Sequence, residues 1–126
     1  MEAYIDELSE TVAGVRASNA PGFGRTADAL EAALVDLSAT TAFLLKAIAA
    51  KQTETALAGA TPFLRLAGLA AGATYLAKGA LVDGTRADRV ALARFMAENL
   101  LPETASLRVQ VVSGAESLAA ARIALQ

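Results

Sequence analysis

Residues 53–82 read TETALAGATPFLRLAGLAAGATYLAKGALV, the longest low-polarity run in the chain. Between Glu54 and Asp83 the only charges are Arg65 and Lys78. Two apolar ridges recur at helical spacing: Leu57, Leu64, Ala67, Ala71 and Tyr75, and then Leu66, Leu69, Ala73, Leu76 and Ala80. A helix with two apolar faces needs partners on both, so this run is predicted to be the central helix of a bundle. Pro62 removes one backbone hydrogen bond and is expected to kink the helix rather than end it, because Leu57 continues the ridge of Leu64. The competing reading has Thr61 cap a new helix that starts at Pro62. Gly68 and Gly72 stand four residues apart. Glycine costs about 1 kcal/mol against alanine inside a helix. The pair therefore predicts a neighbouring backbone packed close to this face, and a leucine at position 68 is expected to disrupt that packing.

The flanking segments extend the same pattern. Glu2 to Ala17 places Ile5, Leu8, Val12 and Val15 on one face and Asp6, Glu7, Glu10 and Arg16 elsewhere, which predicts an amphipathic helix. That helix begins almost at residue 1 without a lead-in, as expected of a segment cut from a longer chain. Residues 18–25, SNAPGFGR, hold Pro, Asn and two Gly and read as a loop. Thr26 is placed to cap the next helix, and Asp28 suits its first turn. Leu30, Leu34, Leu37, Thr41, Leu44 and Ile48 then give the cleanest periodicity in the chain, predicting a helix from about 26 to 50. Thr40 and Thr41 are able to bond back to carbonyls one turn earlier.

Beyond residue 82, Val82-Asp83-Gly84 reads as a turn, with Gly84 at a left-handed position. Thr85 and Asp88 have the spacing of a capping box. Val90, Leu92, Phe95, Met96, Leu100 and Leu101 line the last long helix, which Pro102 is expected to bend. It is predicted to reach about Val112, with a shorter tail after Gly114. The fold class is all-α: a single domain over residues 1–126, forming an up-and-down antiparallel helical bundle of about four helices.

Composition supports this class and removes several functions. Alanine supplies 32 of the 126 residues and proline 3, a balance that favours helix. A core of Ala and Leu lets helices approach closely, but each small side chain buries little area, so a partner surface is expected to contribute. The net charge is −2 and the chain has no basic stripe, so nucleic acid is not expected as a partner. Cysteine and histidine are both absent. Their absence rules out thiol chemistry, and it removes the commonest general base and transition-metal ligand. The composition is consistent with a cytoplasmic setting. Mean hydropathy is +0.43, and Phe63 to Val82 has about the length of a membrane span. Arg65, Lys78 and the glycines favour a buried soluble helix instead.

No catalytic, cofactor-binding or metal-ligating residue emerges. Glu98, Glu103 and Glu116 lie near apolar stretches, but each reads as a solvated helical carboxylate. Gly22-Phe23-Gly24-Arg25 opens a helix, yet it follows no strand and lacks nucleotide-motif spacing; it reads as a connector. Arg65 is the notable single charge. If buried, it needs a carboxylate partner from the second or fourth helix; the alternative is a surface that meets another domain. The candidate packing and interface residues are Arg65, Gly68, Gly72 and Tyr75.

Two segments carry a family resemblance. LAGATPFLRLAGLAAGATYLAKGAL (57–81) and ARFMAENLLPETASLRVQVVSGAESL (93–118) resemble the C-terminal helical domain of bacterial acyl-CoA dehydrogenases of the methylthiopropionyl-CoA dehydrogenase-like subfamily. The matching residues in the first are Ala60, Thr61, Pro62, Phe63, Leu64, Arg65, Leu66, Gly68, Leu69 and Gly72. The resemblance implies a parent enzyme that uses FAD for α,β-dehydrogenation of an acyl-CoA thioester. Its glutamate base lies in a Tyr-Glu-Gly-type motif upstream of this domain, and no such motif occurs here. The chain is then expected to be a C-terminal piece, inactive alone, with structural and oligomerising roles. Its expected partners are the parent's catalytic domains and further copies of itself. The alternative is a free-standing helical module that homodimerises through its Ala/Gly ridge. A membrane-associated bundle is the remaining and least favoured reading.

Overall fold

The computed structural model describes residues 2–18, 21–83 and 85–126. Five α-helices account for most of them: α1 (Glu2–Ser18), α2 (Thr26–Ala49), α3 (Thr53–Val82), α4 (Ala87–Phe95) and α5 (Glu103–Ala124). A 3₁₀ turn at Pro21–Phe23 precedes α2, and a π turn at Met96–Leu100 separates α4 from α5. There is no strand among the described residues. The fold is all-α, as the periodicity predicts.

α3 is the axis of the bundle, and every other α-helix packs on it. Named contacts set the directions. Arg65 meets Glu103 and Gly59 lies beside Val111, so α5 runs antiparallel to α3. Gly59 also lies against Leu44, placing α2 antiparallel on another side. Tyr4 meets Tyr75 and Gly14 lies against Leu81, so α1 runs parallel to α3. The core is built from Leu8, Val15, Leu30, Leu37, Leu66, Leu101 and Leu107, with Ala70, Ala73, Ala77 and Ala80 giving α3 a thin buried edge. Those alanines let the surrounding helices approach the axis closely.

α3 passes through Pro62 as one helix, in agreement with the continuous ridge. The junction between α2 and α3 is a tight turn. Lys51 adopts φ 58°, its N–H donates to the Ile48 carbonyl at 3.0 Å, and Gln52 N–H donates to Ala47 at 2.8 Å. This is a Schellman end with lysine where glycine is usual.

Several local expectations are corrected. Thr26 does not cap α2: its hydroxyl donates back to the Phe23 carbonyl, and Arg25 holds the cap position. Thr85 and Asp88 form no capping box. Asp83 accepts from the Thr85 N–H at 3.2 Å, while Asp88 takes a two-pronged pair from Arg86 at 3.0 and 2.8 Å. Gly84, read as a left-handed turn position, lies outside the described residues. The last helix does not break after Gly114; α5 is continuous to Ala124. Its break lies earlier and is a π turn, in which Leu101 N–H reaches Met96 O at 3.0 Å. Pro102 explains it: proline has no N–H to donate and its ring crowds the carbonyl four residues back, so the preceding turn widens. That break divides the expected fourth helix into α4 and α5.

The close approach expected at Gly68 and Gly72 is also absent. A Cβ at Gly68 would meet nothing within 4 Å, and one at Gly72 would only touch Met96 Cε at 3.6 Å. The tight glycine of α3 is Gly59, where a Cβ would lie 3.0 Å from Leu44 Cδ2 and 3.4 Å from the Val111 carbonyl oxygen. The two ridges of α3 also differ. Leu66, Ala73 and Ala80 are buried, whereas Leu57, Leu64 and Tyr75 face outward.

Candidate functional site

Asp36 of α2 meets Thr104 and Arg108 of α5, with Glu98 of the π turn lining the same cleft. Asp36 is buried among Ala33, Leu34 and Leu37. Its Oδ2 accepts from the Thr104 hydroxyl at 2.9 Å, and its Oδ1 accepts from Arg108 Nη1 at 3.3 Å. Its backbone carbonyl accepts from the Thr40 hydroxyl at 2.9 Å. Nearby, Glu98 accepts from Arg94 Nε at 2.7 Å, and the ion pair holds its carboxyl below the usual range. A cleft of about 390 Å³ opens beside these groups, lined by Arg25, Asp28, Asp36, Glu98, Leu101 and Thr104.

Chemically this cleft is a place of paired charges. A carboxylate held by arginine is a weaker base than a free one, and Glu98 is so held by Arg94. Among the described residues, no group of three or more acidic, histidine or cysteine side chains is placed to hold a metal ion. The Asp36 contacts to Thr104 and Arg108 tie α2 to α5.

The residues singled out in the sequence are not gathered at this cleft. Arg65 is 60% exposed rather than buried, and it forms a two-pronged pair with Glu103 of α5 at 2.7 and 2.9 Å. Its partner comes from the last part of the chain, although an arginine this exposed needs no partner. The pair holds the Glu103 carboxyl below its ordinary value, with the Arg65 hydrogen bond as the main cause. Tyr75 lies half-exposed with its hydroxyl 3.1 Å from that of Tyr4. That hydrogen bond, with burial and nearby charge behind it, raises the Tyr4 phenol. Gly68 shares the outer face of α3 with Tyr75, while Gly72 turns toward Met96.

The outer surface is where the chain has most to offer. Leu45, Ile48, Leu57 and Leu64 are all exposed, and a groove of about 350 Å³ between α2 and α3 is lined almost wholly by apolar side chains. α2 and α3 are also each long and apolar enough to cross a membrane by length and composition, with 44% of the apolar stretch of α2 and 22% of that of α3 buried in the bundle. Asp36 is the residue that the sequence reading missed. Its position between Leu34 and Leu37, inside the periodic stripe, was the available signal.

An alanine-rich chain folded into packed helices, with no strand among the described residues, belongs to the class of all-α helical-bundle domains. The chain is a member of the acetyl-CoA dehydrogenase C-terminal-like family, whose model matches residues 4–122. It is thus a C-terminal domain of the acyl-CoA dehydrogenase-like kind. Comparisons with curated proteins and with solved structures give no match.

Proposed function

We propose that this chain is the structural C-terminal domain of an FAD-dependent acyl-CoA dehydrogenase of the methylthiopropionyl-CoA dehydrogenase-like subfamily. The parent enzyme converts an acyl-CoA thioester to the enoyl-CoA and passes the electrons through its flavin to a flavoprotein or similar acceptor. The base, the flavin site and the thioester site lie in the parent's other domains. This domain presents apolar helical surface to those domains and to further copies, in the cytoplasm and away from membrane and nucleic acid.

The family match over residues 4–122 carries the reading. The paired state of Asp36, Glu98 and Glu103 supports a non-catalytic role, because each carboxylate already has an arginine or hydroxyl partner. The exposed leucines of α3 support a docking role, since apolar side chains in water favour burial against a partner.

The test is expression of the gene with whatever coding sequence lies upstream of residue 1. The expected product carries a Tyr-Glu-Gly-type motif, contains stoichiometric FAD and oxidises an acyl-CoA with an artificial electron acceptor. The 126-residue chain alone is expected to do neither. Flavin binding or thioester oxidation by the short chain would overturn the reading. A stop codon directly upstream, with its own ribosome-binding site, would instead favour a free-standing oligomeric module, the reading that the open α3 face also supports.

A further inference from the structure

Along the outer face of α3, opposite the buried edge at Leu66, Ala73 and Ala77, runs a stripe with strict four-three spacing. Its apolar members are Leu57, Leu64, Gly68, Ala71, Tyr75 and Val82; Thr61 and Lys78 fill the remaining steps. A repeat averaging 3.5 residues is the spacing of a helix seam that packs against another helix. Here it is open: Leu57 is 69%, Leu64 70%, Tyr75 48% and Val82 82% exposed. A seam that follows this spacing for seven consecutive steps while facing water calls for an occupant.

We infer that the occupant is a second copy of α3, packed antiparallel about a two-fold axis between Gly68 and Ala71. The order of side-chain sizes favours this arrangement. Small residues lie at the centre of the stripe and large ones toward both ends. Reversed upon itself, the stripe sets Leu57 against Val82, Leu64 against Tyr75 and Gly68 against Ala71 of the second copy. A two-fold interface requires this kind of self-complementary patch. Charge favours the same direction. Antiparallel packing places Lys78 against Thr61, whereas parallel packing would stack Lys78 on Lys78 and leave a gap where Gly68 met Gly68. Gly68 is then a crossing-point glycine, left open within one copy because the neighbour comes from another. The apolar groove between α2 and α3 opens beside Leu64, where the second copy's Tyr75 ring arrives. Stripe and groove are continuous at Leu64, which belongs to both.

This inference deepens the oligomerising half of the proposed function and does not depend on the flavin half. The test is sedimentation of the 126-residue chain across the micromolar range. The wild-type chain is expected to dimerise. Leu64→Glu is expected to weaken the dimer by about tenfold or more. Gly68→Leu is expected to do the same while keeping helicity and lowering neither stability nor thermal midpoint in dilute solution, because that position is open in a single copy. The chain has no cysteine, which permits a register test. Thr61→Cys with Lys78→Cys is expected to cross-link copies on mild oxidation. Thr61→Cys alone is not, since its two copies would lie roughly 25 Å apart along the helices. A wild-type chain that stays monomeric, a dimer indifferent to both seam variants, or cross-linking through Thr61→Cys alone would overturn the proposal. A monomeric domain within an active flavoenzyme would remove the seam and leave the enzyme reading intact. A dimer from a product without flavin would do the reverse.

Discussion

Asp36 and Thr104 meet inside the bundle, the threonine hydroxyl donating to the buried carboxylate at 2.9 Å, although 68 residues separate them. With Arg108 on the other oxygen at 3.3 Å, this is the polar link between α2 and α5. Asp36→Ala leaves the Thr104 hydroxyl and part of Arg108 without an acceptor in a desolvated place. The expected loss is about 2 kcal/mol, read as a lower midpoint in denaturant at unchanged slope. Replacing both partners, Asp36→Leu with Thr104→Val, is expected to recover most of it, because no buried donor then lacks a partner. A double variant no better than Asp36→Ala would show that the carboxylate has a role beyond satisfying Thr104.

The glycines of α3 make a contrasting pair. Gly59→Ala sets a methyl 3.0 Å from Leu44 Cδ2 and 3.4 Å from the Val111 backbone oxygen, and backbone moves less readily than a side chain. Crowding there outweighs the gain in helix propensity, for an expected net loss of about 1 kcal/mol. Gly68→Ala meets nothing within 4 Å. In dilute solution it is expected to stabilise the chain by up to about 1 kcal/mol through propensity alone. Thermal unfolding of the two variants side by side checks both signs.

Position within α2 predicts another gain. The Thr41 hydroxyl is buried without a hydrogen-bond partner, while its neighbour Thr40 donates to Asp36 O at 2.9 Å and to Leu37 O at 3.1 Å. Thr41→Val keeps the shape and branching and removes the unsatisfied group. The expected stabilisation is about 1 kcal/mol, and Thr40→Val is expected to lack it. Chemical denaturation of the two valine variants compares them directly.

What the sequence showed and what it hid follow from how far each signal reaches. Leu30, Leu34 and Leu37 announced α2, and the unbroken Leu57–Leu64 ridge carried α3 through Pro62, because helical periodicity is written in neighbouring residues. The glycines misled because a helical glycine signals tolerance of lost propensity, not the face on which it lies. Gly59, in the same helix, was the tight one. The choice of Glu103 over other carboxylates as the partner of Arg65 depends on how α5 lies on α3, which no local pattern states. The π turn was hidden for a related reason: Pro102 promised a disturbance, but nothing in the neighbouring residues states that it takes the form of a widened turn ahead of the proline. Asp36 looked like one polar residue in an apolar helix until Thr104 and Arg108 were brought across to it.

The turn between α2 and α3 offers a stabilising change at one atom's expense. Lys51 sits at φ 58°, where a Cβ crowds the adjacent backbone and glycine does not. Lys51→Gly relieves that strain and retains both Schellman hydrogen bonds, from Lys51 N–H at 3.0 Å and Gln52 N–H at 2.8 Å. Glycine also gives the unfolded chain more freedom, which offsets part of the gain. The expected net effect is a stabilisation of about 0.5 kcal/mol, with Lys51→Val destabilising by more than that, because a β-branched side chain fits this region worst. Thermal midpoints of the two variants test the order.

Acid provides the test of Arg65. Glu103 is held below its ordinary value of 4.5, first by the Arg65 hydrogen bond and then by its charge. A carboxylate whose folded pKa is depressed adds stability above the unfolded value, and that contribution fades as pH falls through the folded one. The Arg65–Glu103 contribution is therefore present at neutral pH and lost on acidification below the ordinary glutamate range. Arg65→Gln is expected to move the Glu103 midpoint up toward 4.5 in a carboxyl-detected NMR titration, with the Glu98 midpoint unmoved because its partner is Arg94. The difference in stability between wild type and variant is expected to shrink toward zero as pH drops. High salt is expected to shrink it at neutral pH as well, because Arg65 is mostly exposed and its attraction is screened. A Glu103 midpoint unchanged in Arg65→Gln would mean that the pair does not hold α5 to α3 in solution.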